Sequence, residues 1–208
     1  MIKQEIRSLI YGYLEKYSEK QKYHPRFIDA AIEEVRNQML WELFAVDSLA
    51  VQRFVKRYGY TIPIAVAYEA ATHLYYSVLP AQIVSFRDKA SGVRRISTPV
   101  QGSISFLPMD SREMDLIMGS TYVDVVTSRI GYVVTDRVEY YNMSVAVIAS
   151  GVRMDCIVPF SVYTDNETVL LPEFRDQEEG AFEDRVLKNL RQIPSIELLE
   201  NTKTQETK

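Results

Sequence analysis

Cysteine and histidine are scarce in this chain of 208 residues, which contains one cysteine and two histidines. A single cysteine cannot form a disulfide within the chain, so the sequence is unlike that of a small disulfide-stapled secreted domain. His24 and His73 lie far apart, and Cys156 has no neighbouring cysteine with which to share a zinc ion. The acidic turn at 165–167 and the acidic stretch at 176–179 lack calcium-loop spacing. We therefore expect no metal site and no cofactor.

Glycine is also scarce, with eight residues, and no phosphate-binding loop of the GxxxxGK[ST] or GxGxxG type occurs. The GxSxG turn of many serine hydrolases is absent too. Cys156 stands in the apolar run MDCIVPF, where a cysteine behaves as a small hydrophobic residue. His24 precedes a proline at a predicted helix start, and His73 is expected to be a half-buried packing residue. These features predict that the protein is not an enzyme and has no catalytic residue.

Neither sign of charge dominates, and no long hydrophobic run occurs. The net charge of −4 gives no general argument for nucleic-acid binding. No apolar segment approaches the roughly 18 residues that span a bilayer. The opening MIKQEIRSLIYGYLEK is charged at positions 3, 5 and 7, unlike a signal peptide. We expect a soluble protein that is made in a reducing compartment and has no membrane partner.

Two amphipathic helices are predicted in the first 45 residues. Ile2, Ile6 and Ile10 recur at helical spacing in the first, and the pair His24-Pro25 is expected to open the second. The apolar face of the second helix is predicted to hold Phe27, Ala31, Val35, Leu40 and Phe44, and its polar face Glu33, Glu34, Arg36 and Glu42. A third short helix is predicted from Asp47 to Arg57, closed by Gly59.

β-Branched and aromatic residues dominate from residue 60 onward. Strands are predicted at 74–78, 81–86, 93–96, 104–107, 122–127, 132–135, 138–141, 145–148 and 156–162. An acidic stretch then leads into a helix at 181–193. The pattern predicts an α+β fold, with an N-terminal helical hairpin or bundle packed on an antiparallel β-rich body. The predicted regions are helices at 1–59, the β-rich body at 60–172, a C-terminal helix at 173–194 and a flexible tail at 195–208.

Fourteen tyrosines are an unusual number for this length. Tyrosine has a large apolar face and a polar tip, which suits assembly interfaces, although it is also a common strand residue. Several tyrosines lie among arginines and lysines between Arg53 and Arg95. Such interleaving is typical of proteins that bind single-stranded nucleic acid by stacking and phosphate contacts, and also of an ordinary charged helix end and turn.

The opening segment IYGYLEKYSEKQKYHPRFIDAAIEEVRNQMLWELF resembles the helical start of virion neck proteins in tailed bacteriophages. The shared features are Tyr17-Ser18 at the polar break, His24-Pro25-Arg26-Phe27 at the start of the second helix, and Arg36 near its middle. The similarity is closest to ring proteins of crAss-like phages, which stack between portal and tail. Two later stretches, LYYSVLPAQIVSFRDKASGVRRIS (74–97) and CIVPFSVYTDNETVLLPEF (156–174), resemble further segments of the same group.

This resemblance implies a virion structural protein that forms a ring, commonly twelve-fold, and is made in the host cytoplasm. Its implied partners are further copies of itself, the portal protein, neighbouring neck or tail proteins, and genomic DNA that passes through the lumen without sequence-specific binding. We expect five aromatic residues at packing or subunit contacts: Tyr11, Tyr13, Phe27, Trp41 and Phe44. The alternatives are a single-stranded nucleic-acid-binding module in the Tyr58–Arg95 region and a small hydrolase with dispersed acidic residues.

Overall fold

A computed structural model of the protein describes residues 1–16, 23–86, 92–100, 105–110, 130–143, 145–172 and 181–192. The chain forms two compact units. Unit 1 comprises Met1–Phe54 and Pro159–Lys208, and unit 2 comprises Val55–Val158. Unit 2 is therefore inserted into unit 1, in contrast to the consecutive regions expected from the sequence. The expected tail at 195–208 and the acidic stretch at 173–180 lie outside the described residues.

The described helices are α1 (Lys3–Lys16), α2 (Pro25–Val46), α3 (Val145–Ser150) and α4 (Ala181–Leu190), with 3-10 turns at Ala50–Phe54 and Phe160–Val162. The described strands are β1 (Lys56–Tyr58), β2 (Ala67–Glu69), β3 (Leu74–Ser77), β4 (Val93–Ser97), β5 (Leu107–Pro108), β6 (Gly131–Val134), β7 (Val138–Tyr141) and β8 (Arg153–Cys156). The predicted α+β class, with N-terminal helices, mainly antiparallel sheets and a short C-terminal helix, is confirmed.

Helix α2 begins where the sequence predicts. The side chain of His24 accepts a hydrogen bond from the Arg26 backbone N–H at 3.2 Å, and Pro25 occupies the first turn. Proline suits this position because the first helical N–H groups have no partner within the helix. One face of α2 is buried along its first four turns, through Ile28, Ala31, Ile32, Val35, Met39 and Leu40. Burial of this face supplies the hydrophobic stabilisation of the helix.

Unit 1 is completed by chain segments from both ends of the sequence. Residues Ile6, Ile10 and Leu14 form the buried face of α1. After unit 2 the chain re-enters unit 1 at Pro159, and we call this part the returning chain. It binds the start of α1, because the backbone N–H of Lys3 donates to the carbonyl oxygen of Glu167 at 3.0 Å. In α4 the predicted apolar stripe is confirmed as buried, and it consists of Phe182, Val186, Leu187 and Leu190. The helices at the two ends of the chain therefore share one core.

The described residues of unit 2 form two sheets. The first is antiparallel with strand order β1-β8-β4, and the second has order β2-β3-β7-β6-β5, in which only the β5–β6 pair is parallel. In the first sheet Ile96, Met154 and Cys156 are fully buried. In the second, Tyr132 and Tyr140 are almost fully buried, and the Tyr140 hydroxyl lies 2.6 Å from the Ser77 hydroxyl. This hydrogen bond satisfies the polar tip of a tyrosine in the core.

Several predicted elements are wrong. Residues 145–148, predicted as a strand from their β-branched side chains, belong to α3, which ends at Ser150 and is followed by Gly151 with φ +72°. The predicted helix from Asp47 to Arg57 is a 3-10 turn at Ala50–Phe54 followed by β1. Residues 81–86 do not form a strand. Of the predicted strand at 156–162, only Cys156 lies in a strand, as the last residue of β8. The predicted strand at 122–127 lies outside the described residues.

Candidate functional site

The five predicted contact residues are all at least partly accessible in the single chain. Tyr11 and Tyr13 on α1 are half-buried, as are Phe27 and Phe44 on α2. Trp41 on α2 is 53% exposed. The structure therefore places all five outside the fully buried core, on two helices of unit 1.

The C-terminal end of α2 and the following turn form a mainly apolar segment that is not buried. We refer to residues 41–49 (WELFAVDSL) as the apolar segment. Six of its nine residues are hydrophobic, and none is buried. Val46 is 83% exposed and Leu49 65% exposed. Contiguous exposed apolar surface on a soluble domain is typical of protein–protein contact sites, whereas isolated exposed hydrophobic residues need no explanation.

Helix α2 is held in place at the start of this segment. The Glu42 carboxylate accepts hydrogen bonds from Arg185 of α4 at 2.8 Å and from Gln38 at 3.1 Å. The preceding turn buries Met39 and Leu40 in the core. Because both packing and polar contacts fix α2 here, Trp41 and Phe44 project from a backbone that is already ordered.

A charged groove of about 740 Å³ lies between the start of α1, the first half of α2 and the returning chain. The guanidinium of Arg7 donates two hydrogen bonds of 2.7 Å to the Asp29 carboxylate. The ammonium of Lys3 donates to the carbonyl oxygen of Tyr163 at 2.7 Å and lies 5.0 Å from the centroid of the Phe160 ring. Burial lowers the pKa of Lys3. These groups bind one another, so the groove joins three segments of unit 1.

The sequence prediction for Arg36, which placed this residue on the polar face of α2, is wrong. Its side chain is fully buried, and its guanidinium lies 5.6 Å from the centroid of the Tyr163 ring. Burial lowers the pKa of Arg36, whereas the adjacent Tyr163 acts in the opposite direction. Tyr163 belongs to the returning chain and lies more than a hundred residues after Arg36 in the sequence. The helical pattern of α2 alone therefore gave no signal that Arg36 is buried.

The outward face of the β1-β8-β4 sheet is strongly basic. The three strands hold five basic residues and one acidic residue. Arg57 of β1 and Arg95 of β4 are both paired with Asp155 of the central strand, so the three residues share a face. Arg153 shares this face because it precedes Asp155 by two residues along the strand. We call these four residues, together with Tyr60, the arginine face.

Tyr60 positions the charged groups of the arginine face. Its hydroxyl donates to the Asp155 carboxylate at 3.0 Å. The guanidinium groups of Arg57 and Arg153 lie 5.8 Å and 4.9 Å from the centroid of its ring. Tyr60 remains 40% exposed. The predicted nucleic-acid region of Tyr58–Arg95 therefore contributes Tyr60 and Arg95 to this surface. Arg57 lies one residue before that region, and Arg153 was not part of the prediction.

The residues considered for catalysis are dispersed. Cys156 is fully buried, as its apolar surroundings predict, and burial raises the pKa of its thiol to about 12. His73 is exposed in a turn with φ 57°, so its predicted half-buried packing role is wrong. Within the described ranges, no group of three or more His, Cys, Asp or Glu side chains is arranged to hold a metal ion.

Among the residues that the structure describes, no helix is both long enough and apolar enough to cross a membrane. Comparisons with known protein families, with curated proteins and with solved structures found no match to this chain.

Proposed function

We propose that the protein is a structural subunit that assembles into a ring between the portal and the tail of a tailed bacteriophage. The observation that carries the proposal is the apolar segment at residues 41–49, which is accessible in the single chain although six of its nine residues are hydrophobic. The resemblance of the opening segment to phage neck proteins supports the same function. The ring serves as an assembly platform and as part of the DNA conduit.

A second copy of the chain is the partner that we assign to the apolar segment. Subunits of a ring contact each other through two different surfaces, one on each side of the subunit. The apolar segment supplies one of these surfaces. Because α2 is fixed by Glu42, Met39 and Leu40, little conformational entropy is lost when a neighbour covers Trp41 and Phe44.

Trp41 is the only tryptophan in the chain and therefore reports directly on this surface. We expect mass photometry and light scattering to detect larger assemblies as the protein concentration rises, or when portal protein is added. The fluorescence of Trp41 should shift to shorter wavelength in parallel, because its exposed ring leaves water. Replacing Val46 and Leu49 together by Asp should prevent both changes.

Val145→Asp is the matched control for this experiment. Val145 is 79% exposed on α3 in unit 2, so the substitution also introduces an aspartate at a highly exposed apolar position, with one added negative charge instead of two. The control should assemble like the wild type. Equal assembly of V46D/L49D and wild type would contradict the assignment of the apolar segment. Absence of the chain from purified virions would contradict the connector function itself.

The hydrolase alternative receives no support from the described residues. A general acid needs a carboxyl group whose pKa is raised by burial or by a neighbouring anion. The pKa of Glu69 is clearly shifted, and hydrogen bonds from Arg137 and Thr72 lower it. A lowered carboxyl pKa is expected for an ion pair that stabilises the fold.

A further inference from the structure

We propose that the arginine face of unit 2 binds the phosphate backbone of duplex DNA. This inference goes beyond the connector function, for which DNA is cargo that passes without specific binding. It names a surface, formed by Arg57, Arg95 and Arg153 around Tyr60, and a ligand chemistry that fits this surface. The contact is independent of DNA sequence.

The charge distribution identifies the ligand as an anion. The three strands of the sheet carry five of the chain's basic residues and one acidic residue, whereas the chain as a whole has a net charge of −4. On the outward face three arginines surround the single carboxylate of Asp155, and that carboxylate already accepts a hydrogen bond from Tyr60. Positive charge is thus concentrated on this sheet.

The basic residues of this face are arginines, which indicates that the anion they bind is phosphate. Guanidinium groups present several N–H donors in a plane and bind phosphate oxygens with two hydrogen bonds at once. Arg57 and Arg153 both lie against the Tyr60 ring, which limits the conformations of their long side chains. Groups that are positioned before binding lose less entropy when the ligand arrives.

The geometry favours the backbone of a duplex over stacked bases of a single strand. Stacking needs an aromatic ring that is offered to a base. The Tyr60 ring is contacted by two guanidinium groups, and its hydroxyl is bound to Asp155. Tyr60 therefore orients the arginines. Adjacent β-strands are about 4.8 Å apart, so Arg57 and Arg95, which flank the central strand, can reach separate phosphates.

Fluorescence anisotropy with a labelled 20-base-pair duplex at increasing salt concentrations tests the inference. Each phosphate contact contributes about 0.9 to the slope of log affinity against log salt, so three arginines predict a slope of about −3. Arg57→Gln or Arg95→Gln should reduce the slope by about 1 and weaken binding about tenfold at 50 mM salt. Arg57→Lys should retain most of the slope because it keeps the charge.

Arg26→Gln is the matched control, since Arg26 is an exposed arginine on α2 of unit 1 and is not a member of the arginine face. It should leave affinity and slope unchanged. An equal loss in Arg26→Gln and Arg57→Gln would overturn the proposal, as would competition by polyglutamate as effective as that by duplex DNA. Tighter binding of oligo-dT than of duplex would overturn it in favour of the single-strand module.

The measurement is independent of ring assembly. It is made with the V46D/L49D variant, which does not assemble if the connector proposal is correct, and repeated with the wild type. Circular dichroism of each arginine variant establishes that the sheet is intact. Assembly of the wild type without any binding to the duplex would overturn only the DNA-binding inference, whereas salt-dependent duplex binding by a protein that is absent from purified virions would overturn only the connector function.

Discussion

Alkaline pH should destabilise unit 2 through the buried thiol of Cys156, and Cys156→Ala should remove most of this effect. The thiol is fully buried on β8, where burial raises its pKa from the ordinary value of 9.0 to about 12. Between these values the unfolded chain loses the proton while the folded chain keeps it. The folded state then binds more protons, so the free energy of unfolding falls as the pH rises.

The magnitude follows from the two pKa values. Between pH 8 and pH 10 the thiol alone should lower the free energy of unfolding by about 1.4 kcal/mol. Tyr132 adds about 0.4 kcal/mol in the same interval, because burial raises its pKa from 10.0 to about 12. Burial also raises the pKa of Tyr140, which adds a loss of the same sign. The wild type should therefore lose more than about 1.8 kcal/mol, and Cys156→Ala should lose about 1.4 kcal/mol less than the wild type.

Urea denaturation followed by circular dichroism at pH 8 and pH 10 measures these changes. Cys156→Ala also removes a packed sulfur atom, but this loss affects both pH values equally and cancels in the comparison. A variant that loses as much stability as the wild type between pH 8 and pH 10 would refute the assignment to the thiol. In the folded wild type at pH 8, the thiol should also react slowly with a thiol-specific reagent.

Three further substitutions test the packing of the fold. Ile10→Ala should lower the free energy of unfolding by about 2–5 kcal/mol in urea denaturation, because Ile10 is fully buried on α1. Gly151→Ala should lower the melting temperature, because Gly151 has φ +72° and an added Cβ would lie 2.7 Å from the carbonyl oxygen of Ile64. Arg7→Gln should cost about 1 kcal/mol at low salt through its half-exposed ion pair with Asp29, and less at 1 M salt.

Local signals in the sequence predicted those elements whose boundaries depend on nearby residues. The start of α2 follows from His24 and Pro25, whose capping and backbone geometry act within one helical turn. The range of β7, Val138–Tyr141, matches its run of β-branched and aromatic residues. The buried stripe of α4 follows from helical periodicity. Neighbouring residues suffice for such predictions because the forces involved act over a few residues.

Other features were not predicted, and two of them depend on distant parts of the chain. Residues 145–148 have strand-forming side chains, but the N–H of Gly151 donates to the carbonyl oxygen of Val147 and ends a helix. Gly151 was the local signal that favoured a helix there. Arg36 is buried because Tyr163 returns from the far end of the chain. The arginine face needs the pairing of three strands that are distant in sequence, and no local pattern contains that pairing.

The insertion of unit 2 into unit 1 also sets an order of folding during synthesis. Helices α1 and α2 emerge from the ribosome first, but Phe160, Val169 and Val186, which complete their core, follow more than a hundred residues later. At 5–20 residues per second, the roughly 100 residues of unit 2 take about 5–20 s to translate. The apolar faces of α1 and α2 therefore stay incompletely covered during this time. Unit 2 is the first unit that can complete its core.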